Sequence, residues 1–407
     1  MLVRRIAYAA AETRSDERAS IVLREVGGHA VSKSTVARVA HQVGTELAAL
    51  RQAPAPPAPG AAEPAAETAL AGSPGGPALA PELAVVECDG GRLRTREPGN
   101  GRGVHGAAWR ETKNACLLKM THRVFAEDPH PELPRAFCDP QHVAELAEMA
   151  APPAAALAPP PETPPPDEEP PAEDPPDEEW RPQRQVRTCL SSMARSSAFG
   201  EQMEREARRR RFFEAPFRAF VGDGLPWNWS IWKTRFREFV PILDFIHVLG
   251  YLYAAAVAMH AAFPAAWAAY LELARDCWQG RVGEVRVRLR AWLAEQGVDE
   301  QTELAEKDPR KPVADALRYL GNNRKRMDYP RYRRLGLPVT SALMESLVKQ
   351  INYRVKGTEM FWNDPAGAEA ILQLRAAALC EDGRLETYLR TRPGCPYVRR
   401  STYAQAA

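Results

Sequence analysis

Asp89 follows the β-forming run Ala84–Cys88, and Asp223 follows the stretch FRAFV in a Val-Gly-Asp-Gly segment. Glu345 lies near the start of a helical stretch that begins around Thr340 or Ser341. Each acid alone has an ordinary explanation. Asp followed by Gly at a strand end is a common turn, and Glu345 with Lys349 makes an i,i+4 surface pair. Together they meet a chemical requirement. Phosphodiester cleavage with two Mg²⁺ ions needs hard oxygen ligands around ions about 3.5–4 Å apart. Carboxylates on two rigid strands and a longer Glu reaching in from a helix would supply them. The sequence has no His/Cys cluster of zinc type and no phosphate-binding GxxxxGK[ST] run.

Other residues gather around these three. Asp244 and His247, three apart at the start of a helix, could both approach the ligands; Asp244 would cap the helix or orient His247, and His247 would make a buried structural hydrogen bond or support the ligands from behind. Asp244 is also the alternative to Asp223 as the second catalytic acid. Arg318–Arg334 holds seven Lys and Arg against the single acid Asp328, with Tyr319, Tyr329 and Tyr332 interleaved. That imbalance favours DNA-backbone contact, with Arg318, Arg324, Arg326, Arg333 and Arg334 as candidates. Lys349 and Lys356 share the helical face of Glu345 and could hold DNA beside it. Trp227, Trp229 and Trp232 suit core packing or stacking on unpaired bases. Arg208–Arg211 suits a solvated helix face or phosphate contact.

The elements that must position these residues alternate between strand and helix, with three tracts of different composition. Residues 1–50 are expected to be helical, as a helix-turn-helix placing Ser34, Thr35 and Arg38 near DNA or as a small bundle. Residues 51–82 form an Ala/Pro-rich linker, and 146–183 an acidic, Pro-rich insert that cannot build a core. The catalytic unit would occupy 83–145 and 184–258, a helical insertion 259–318, the final catalytic segment 319–380, and a tail 381–407. Asp89-Gly90-Gly91 is expected to turn. Lys and Arg number 54 against 52 Asp and Glu, but residues 151–180 hold nine of those acids and no Lys or Arg, so the remainder carries a net +11. Such a surface favours a polyanion. Seven scattered cysteines without a CxxC pair suit a reducing cytoplasm, and neither a signal peptide nor a membrane span is expected.

The segment 319–379 resembles the C-terminal catalytic segment of DDE-class transposases of bacterial insertion sequences, ISKra type. The similarity rests on Asn323, Arg324, Arg326, Met327, Tyr329, Gly336, Pro338, Ser341, Glu345, Lys356, Met360 and Trp362, with Gly367 and Leu374-Arg375. Asp89-Gly90 with Trp109 and Glu111 is similar to the first acidic segment, Gly222-Asp223-Gly224 with Trp227 to the second, and Asp244 with His247 to the one that follows. The resemblance covers most of residues 20–380. It implies an α/β, ribonuclease-H-like mixed sheet flanked by helices, with a helical insertion before the last acid. It also implies Asp89, Asp223 and Glu345 as catalytic acids holding two Mg²⁺ or Mn²⁺ ions. Expected partners are DNA, above all insertion-sequence ends, and a second copy in a homo-oligomer; the expected location is the cytoplasm and, when DNA-bound, the nucleoid. The chain departs from the pattern at Thr340 and Ala342, where the family has Gly, at Glu359 and Phe361, and in a shorter N-terminal region. A DNA-binding remnant without chemistry is therefore the alternative function, followed by a structural protein with a basic surface.

Overall fold

Alternation along residues 83–88 sets the first strand between two layers. Leu83 and Val85 face one apolar cluster, while Ala84, Val86 and Cys88 face the other. In this computed structural model the described residues are 2–53, 80–96, 109–150, 180–300, 302–356 and 361–392. The side chains of 148–150 and of Glu345 lie outside that description. The strands are β1 (Leu83–Arg94), β2 (Trp109–Met120), β3 (Arg184–Ser192), β4 (Phe217–Gly222) and β5 (Val240–Leu243). Helices α1 (Leu2–Glu12), α2 (Asp16–Glu25) and α3 (Lys33–Gln52) precede them. Between strands lie α4 (Pro140–Ala150), α5 (Ser196–Arg209) and α6 (Pro226–Arg235). After β5 follow α7 (Phe245–Met259), α8 (Phe263–Trp278), α9 (Val282–Glu295), α10 (Lys311–Asn323) and α11 (Tyr329–Arg334). The last are α12 (Ala342–Val355), α13 (Pro365–Ala378) and α14 (Arg384–Thr391).

The sheet order is β3-β2-β1-β4-β5, antiparallel from β3 to β1 and parallel from β1 through β4 to β5. This is the ribonuclease-H-like mixed sheet expected from the sequence, with α8, α9 and α10 as the helical insertion. Helices α7, α12 and α13 contribute to the core on one face, and α5 and α6 to the core on the other.

Several expectations are corrected. Asp89-Gly90-Gly91 does not turn: β1 continues to Arg94, and Gly90 and Gly91 pair with Lys113 and Thr112. The flanking residues on β2 supply ladder partners that a local Gly-Gly signal does not reveal. A strand, β3, precedes the basic helix. The expected insert begins inside α4, since residues 146–150 are helical, whereas 151–179 lie outside the described residues, as do most of the 51–82 linker and 393–407 of the tail.

The N-terminal helices form a bundle that shares the main core through Val36, Val39, Val43 and Leu47. Ser32 caps α3, accepting from Thr35 N at 3.2 Å. Helix α3 lies so close to α13 that a Cβ on Gly44 would meet the Ala370 carbonyl oxygen at 2.0 Å. Gly44→Ala is expected to cost about 1–3 kcal/mol by overpacking, measured by chemical denaturation. Unchanged stability would show that α3 does not pack this closely on α13.

Candidate metal centre

The parallel ladder brings the aspartates together. Cys88 pairs with Gly222 and Gly222 with Leu243, so Asp89, Asp223 and Asp244 are the next residues on three adjacent strand paths. Asp244 N donates to Gly222 O at 2.9 Å and holds that edge closed. Parity does the rest. Asp89 follows Leu83 and Val85 in steps of two, and Asp223 follows Ala219 and Val221, so both aspartates share the face covered by α7 and α12. One ligand atom from each of Asp89, Asp223 and His247 lies within 4.8 Å of the others, an arrangement that could hold a divalent metal ion. They line a cleft of about 550 Å³ with Gly90, Leu225, Tyr319 and Arg318.

The electrostatics fit a cation. Burial pushes the Asp223 carboxyl up to about 7; His247 opposes the rise and Asp89 adds to it. Burial also raises Asp89, against the attraction of His247. For His247, burial works against protonation, but the hydrogen bond to Asp244 and the charges of Asp244, Asp223 and Asp89 outweigh it and lift the imidazole to about 9. A buried and a half-buried carboxylate, close together beside an imidazole, are a donor set that suits a divalent ion. Because these pKa values are raised, protons compete with metal below them. Metal affinity is expected to increase from pH 6 to pH 9, with roughly one to two protons released per ion at pH 7. Calorimetry in buffers of different ionisation enthalpy measures both quantities. Affinity independent of pH over that range would remove these side chains as ligands.

Two of the three candidate ligands, Asp223 and His247, are held from behind. Asp223 Oδ1 accepts from Leu225 N at 2.8 Å and from the buried Asn228 amide. Tyr319 OH donates to the Asp223 carbonyl at 2.7 Å. Gly224 has φ +97°, and a Cβ there would meet the Tyr319 ring at 2.6 Å, so both conformation and space require Gly. His247 Nδ1 donates to Asp244 Oδ2 at 2.7 Å, leaving Nε2 as the ring nitrogen able to face an ion. Asp244 is fully buried. Its Oδ1 also accepts from Ile246 N and Ser341 N at 3.2 and 3.0 Å, and its Oδ2 from Ser341 Oγ at 2.5 Å. With each oxygen accepting two hydrogen bonds, Asp244 is engaged in positioning and does not replace Asp223 beside the cluster. Asn228, Tyr319 and Ser341 were not singled out as site supports in the sequence; for Tyr319 and Ser341 the partners lie 96 and 97 residues away.

Ser341 ties the start of α12 to this edge. Glu345 follows four residues later, about 6 Å along the helix axis, and its side chain lies outside the described residues. Helix α12 packs across β1 and β2. Met344, Leu347, Ile351 and Val355 are its buried residues there, while Leu343 is only partly buried.

The candidate DNA contacts divide by burial. Arg318, Arg324, Arg334, Lys349 and Lys356 are exposed, Arg318 at the cleft itself with one nitrogen 3.1 Å from Asp315. Arg326 is half-buried, 4.2 Å above the Trp229 ring. Arg333 does not present its charge outward: it is buried, bonded to Asp128 at 2.8 and 2.5 Å and to the Trp278 carbonyl at 3.0 Å. Its ion pair crosses 205 residues of chain. The interleaved tyrosines dock the segment on the sheet, Tyr329 OH to Leu243 O at 3.1 Å and Tyr332 OH to Pro241 O at 3.3 Å. Trp229 and Trp232 donate to Asn323 and to the Phe239 carbonyl and pack inward. Arg208–Arg211 is taken up by Glu204, Glu206, Asp382 and Glu214.

All six described cysteines are free thiols. No described helix is long and apolar enough to cross a membrane. No family model matches the sequence, and comparison with the curated proteins finds no match.

Proposed function

We propose that the protein is a metal-dependent DNA transposase, cleaving and joining phosphodiester bonds at insertion-sequence ends. The observation that carries this reading is the meeting of Asp89 within β1, Asp223 just past the end of the adjacent parallel β4, and His247 at the start of α7, on a ribonuclease-H-like sheet. When bound there, Mg²⁺ or Mn²⁺ would activate the attacking oxygen and stabilise the leaving one. Asp89 and Asp223 supply hard ligands, and Asp244 holds His247 in one orientation. Glu345, on the helix tethered by Ser341, is proposed as the third acid and as the residue that would complete a two-ion site. Arg318, Arg324 and Arg334, with Lys349 and Lys356, supply phosphate contacts on the exposed surface. The resemblance of residues 319–379 extends the reading from phosphodiester cleavage to transposition.

The remnant reading draws on Thr340 and Ala342, where the family has Gly. That objection loses force in the backbone. Among the described residues the one non-Gly positive φ belongs to Arg211, and Ser341 sits at φ −102°, so neither neighbour needs glycine's conformational freedom.

The test incubates the protein with DNA carrying the gene's own flanking sequences, with Mg²⁺, with Mn²⁺, or with EDTA. Metal-dependent cuts at the element's ends are expected. Replacing Arg318 and Arg324 together with Ala should weaken binding broadly across sequences and flatten its salt dependence by about two phosphate contacts. DNA binding without cleavage under every metal condition would leave the remnant reading standing.

A further inference from the structure

The ribbon formed by β1 beyond Asp89 and the start of β2 has a charge pattern that the metal centre does not use. Arg92, Arg94 and Arg96 follow one another in steps of two, so they project from one side of the chain. Each meets an aromatic ring. Arg92 and Arg94 lie 5.3 and 4.7 Å from the Trp109 ring, and Arg96 lies 4.9 Å from Phe361. Nearer the cleft, Lys113 sits 5.6 Å above Trp227. Lys113 pairs across the ladder with Gly90, which lines the cleft, and Trp227 follows the exposed cleft residues Leu225 and Pro226. Trp109 is 42% exposed, an uncommon position for so large a ring. The buried Trp227 Nε1 has no hydrogen-bond partner. At ~3.4 Å per residue, the stripe runs roughly 14 Å from Gly90 to Arg94.

We propose that this stripe is a binding track for single-stranded nucleic acid that passes the rim of the metal-centre cleft at Gly90 and runs along the face of the ribbon opposite the Asp89 carboxylate. The inference rests on the phosphodiester reading of that cleft. Arginines spaced along an extended strand complement a phosphate backbone, and exposed rings offer stacking faces that any base can use. A duplex keeps its bases stacked on one another and gives Trp109 nothing to stack on, so the track distinguishes an unpaired strand from a paired one. The local cation–π pairs hold the rings and guanidiniums in place before the strand arrives.

The experiment measures fluorescence anisotropy of a labelled oligothymidylate of fifteen nucleotides, and of a duplex of equal length, with the full chain in EDTA. Binding in EDTA reads no metal-dependent chemistry, so a failure of the catalytic reading leaves this measurement intact. Trp109→Ala should weaken single-strand binding about 5- to 160-fold, the range of one lost base–aromatic stack, and leave duplex binding within twofold. Trp109→Phe should restore most of the loss. Arg92→Glu, which removes no ring, should weaken single-strand binding and lower its salt slope. Circular dichroism and denaturation check that each variant is folded. The proposal is overturned if folded Trp109→Ala and Arg92→Glu bind oligothymidylate as the wild type does. It is equally overturned if Trp109→Ala loses single-strand and duplex binding to the same extent.

Discussion

Asp223→Asn is expected to lose metal-dependent cleavage while making the metal-free protein more stable at pH 8. The two effects share one cause. Asp223 is buried beside Asp89, and its carboxyl is raised to about 7. A carboxyl whose folded pKa lies above its unfolded value stabilises the native state fully below the unfolded pKa and loses that contribution as pH rises through the folded one. At pH 8 the wild type therefore carries an unfavourable charge that Asn lacks. Asn keeps the Oδ1 that accepts from Leu225 N and Asn228, and its amide can donate to Asp89. A gain of about 2–4 kcal/mol at pH 8 is expected, vanishing near pH 4. Cleavage should drop on the order of 10³-fold, corresponding to the several kcal/mol of charge stabilisation that a metal site supplies. Urea denaturation at the two pH values and a single-turnover cleavage assay measure the pair. An active Asp223→Asn enzyme would move the second acid elsewhere, and an Asn variant less stable at pH 8 would mean the carboxylate is already neutralised.

Asp244→Asn should act in the opposite sense on stability. The bonds from Ile246 N and Ser341 N to Oδ1 survive. The amide that replaces Oδ2 faces two donors, His247 Nδ1 and Ser341 Oγ. To be satisfied, His247 must turn over or move its proton to Nε2, removing the lone pair meant for an ion. Metal affinity should fall about 10- to 100-fold, and stability by about 2–3 kcal/mol for the broken buried network. Ser341→Ala separates the two roles. It removes one hydrogen bond, costs about 1 kcal/mol, and leaves the His247 tautomer and metal affinity unchanged. Wild-type metal binding by folded Asp244→Asn would show that the Asp244–His247 bond has no bearing on the ion.

The parts of this site legible in the sequence are those set by short runs. FRAFV before Asp223 and VPIL before Asp244 are strands whose ends are marked locally, and the alternation of residues 83–88 continues into Asp89. What sequence could not supply depends on pairing across the chain. Whether Gly90-Gly91 turns or continues is decided by Lys113 and Thr112 on β2. The Arg318–Arg334 run looks uniformly basic, yet Arg333 finds Asp128 and becomes part of the interior while Arg318 and Arg334 stay outside. Likewise Arg208–Arg211 is consumed by acids on α5, after it, and at Asp382. His247 was expected to make a structural hydrogen bond or to support the ligands; the folded chain brings it within 4.8 Å of ligand atoms of Asp89 and Asp223.

The contacts that seat the N-terminal helices impose an order on how the protein is made. Arg354 on α12 donates to the Ala10 carbonyl at 2.8 Å and to Asp16 at 2.7 Å, and Arg375 on α13 reaches Ala11 and Glu12. The Arg354–Ala10 bond joins residues 344 apart. At ~5–20 residues per second of synthesis, roughly 20–70 s separate the emergence of α1 from that of its docking partner. Through that interval Ile6 and Val36 have no α13 to cover them, and the nascent chain depends on chaperones or on provisional contacts. Synthesis cut short before residue 375 would leave a chain with this apolar surface still uncovered, prone to aggregation although all five strands of its sheet had been made.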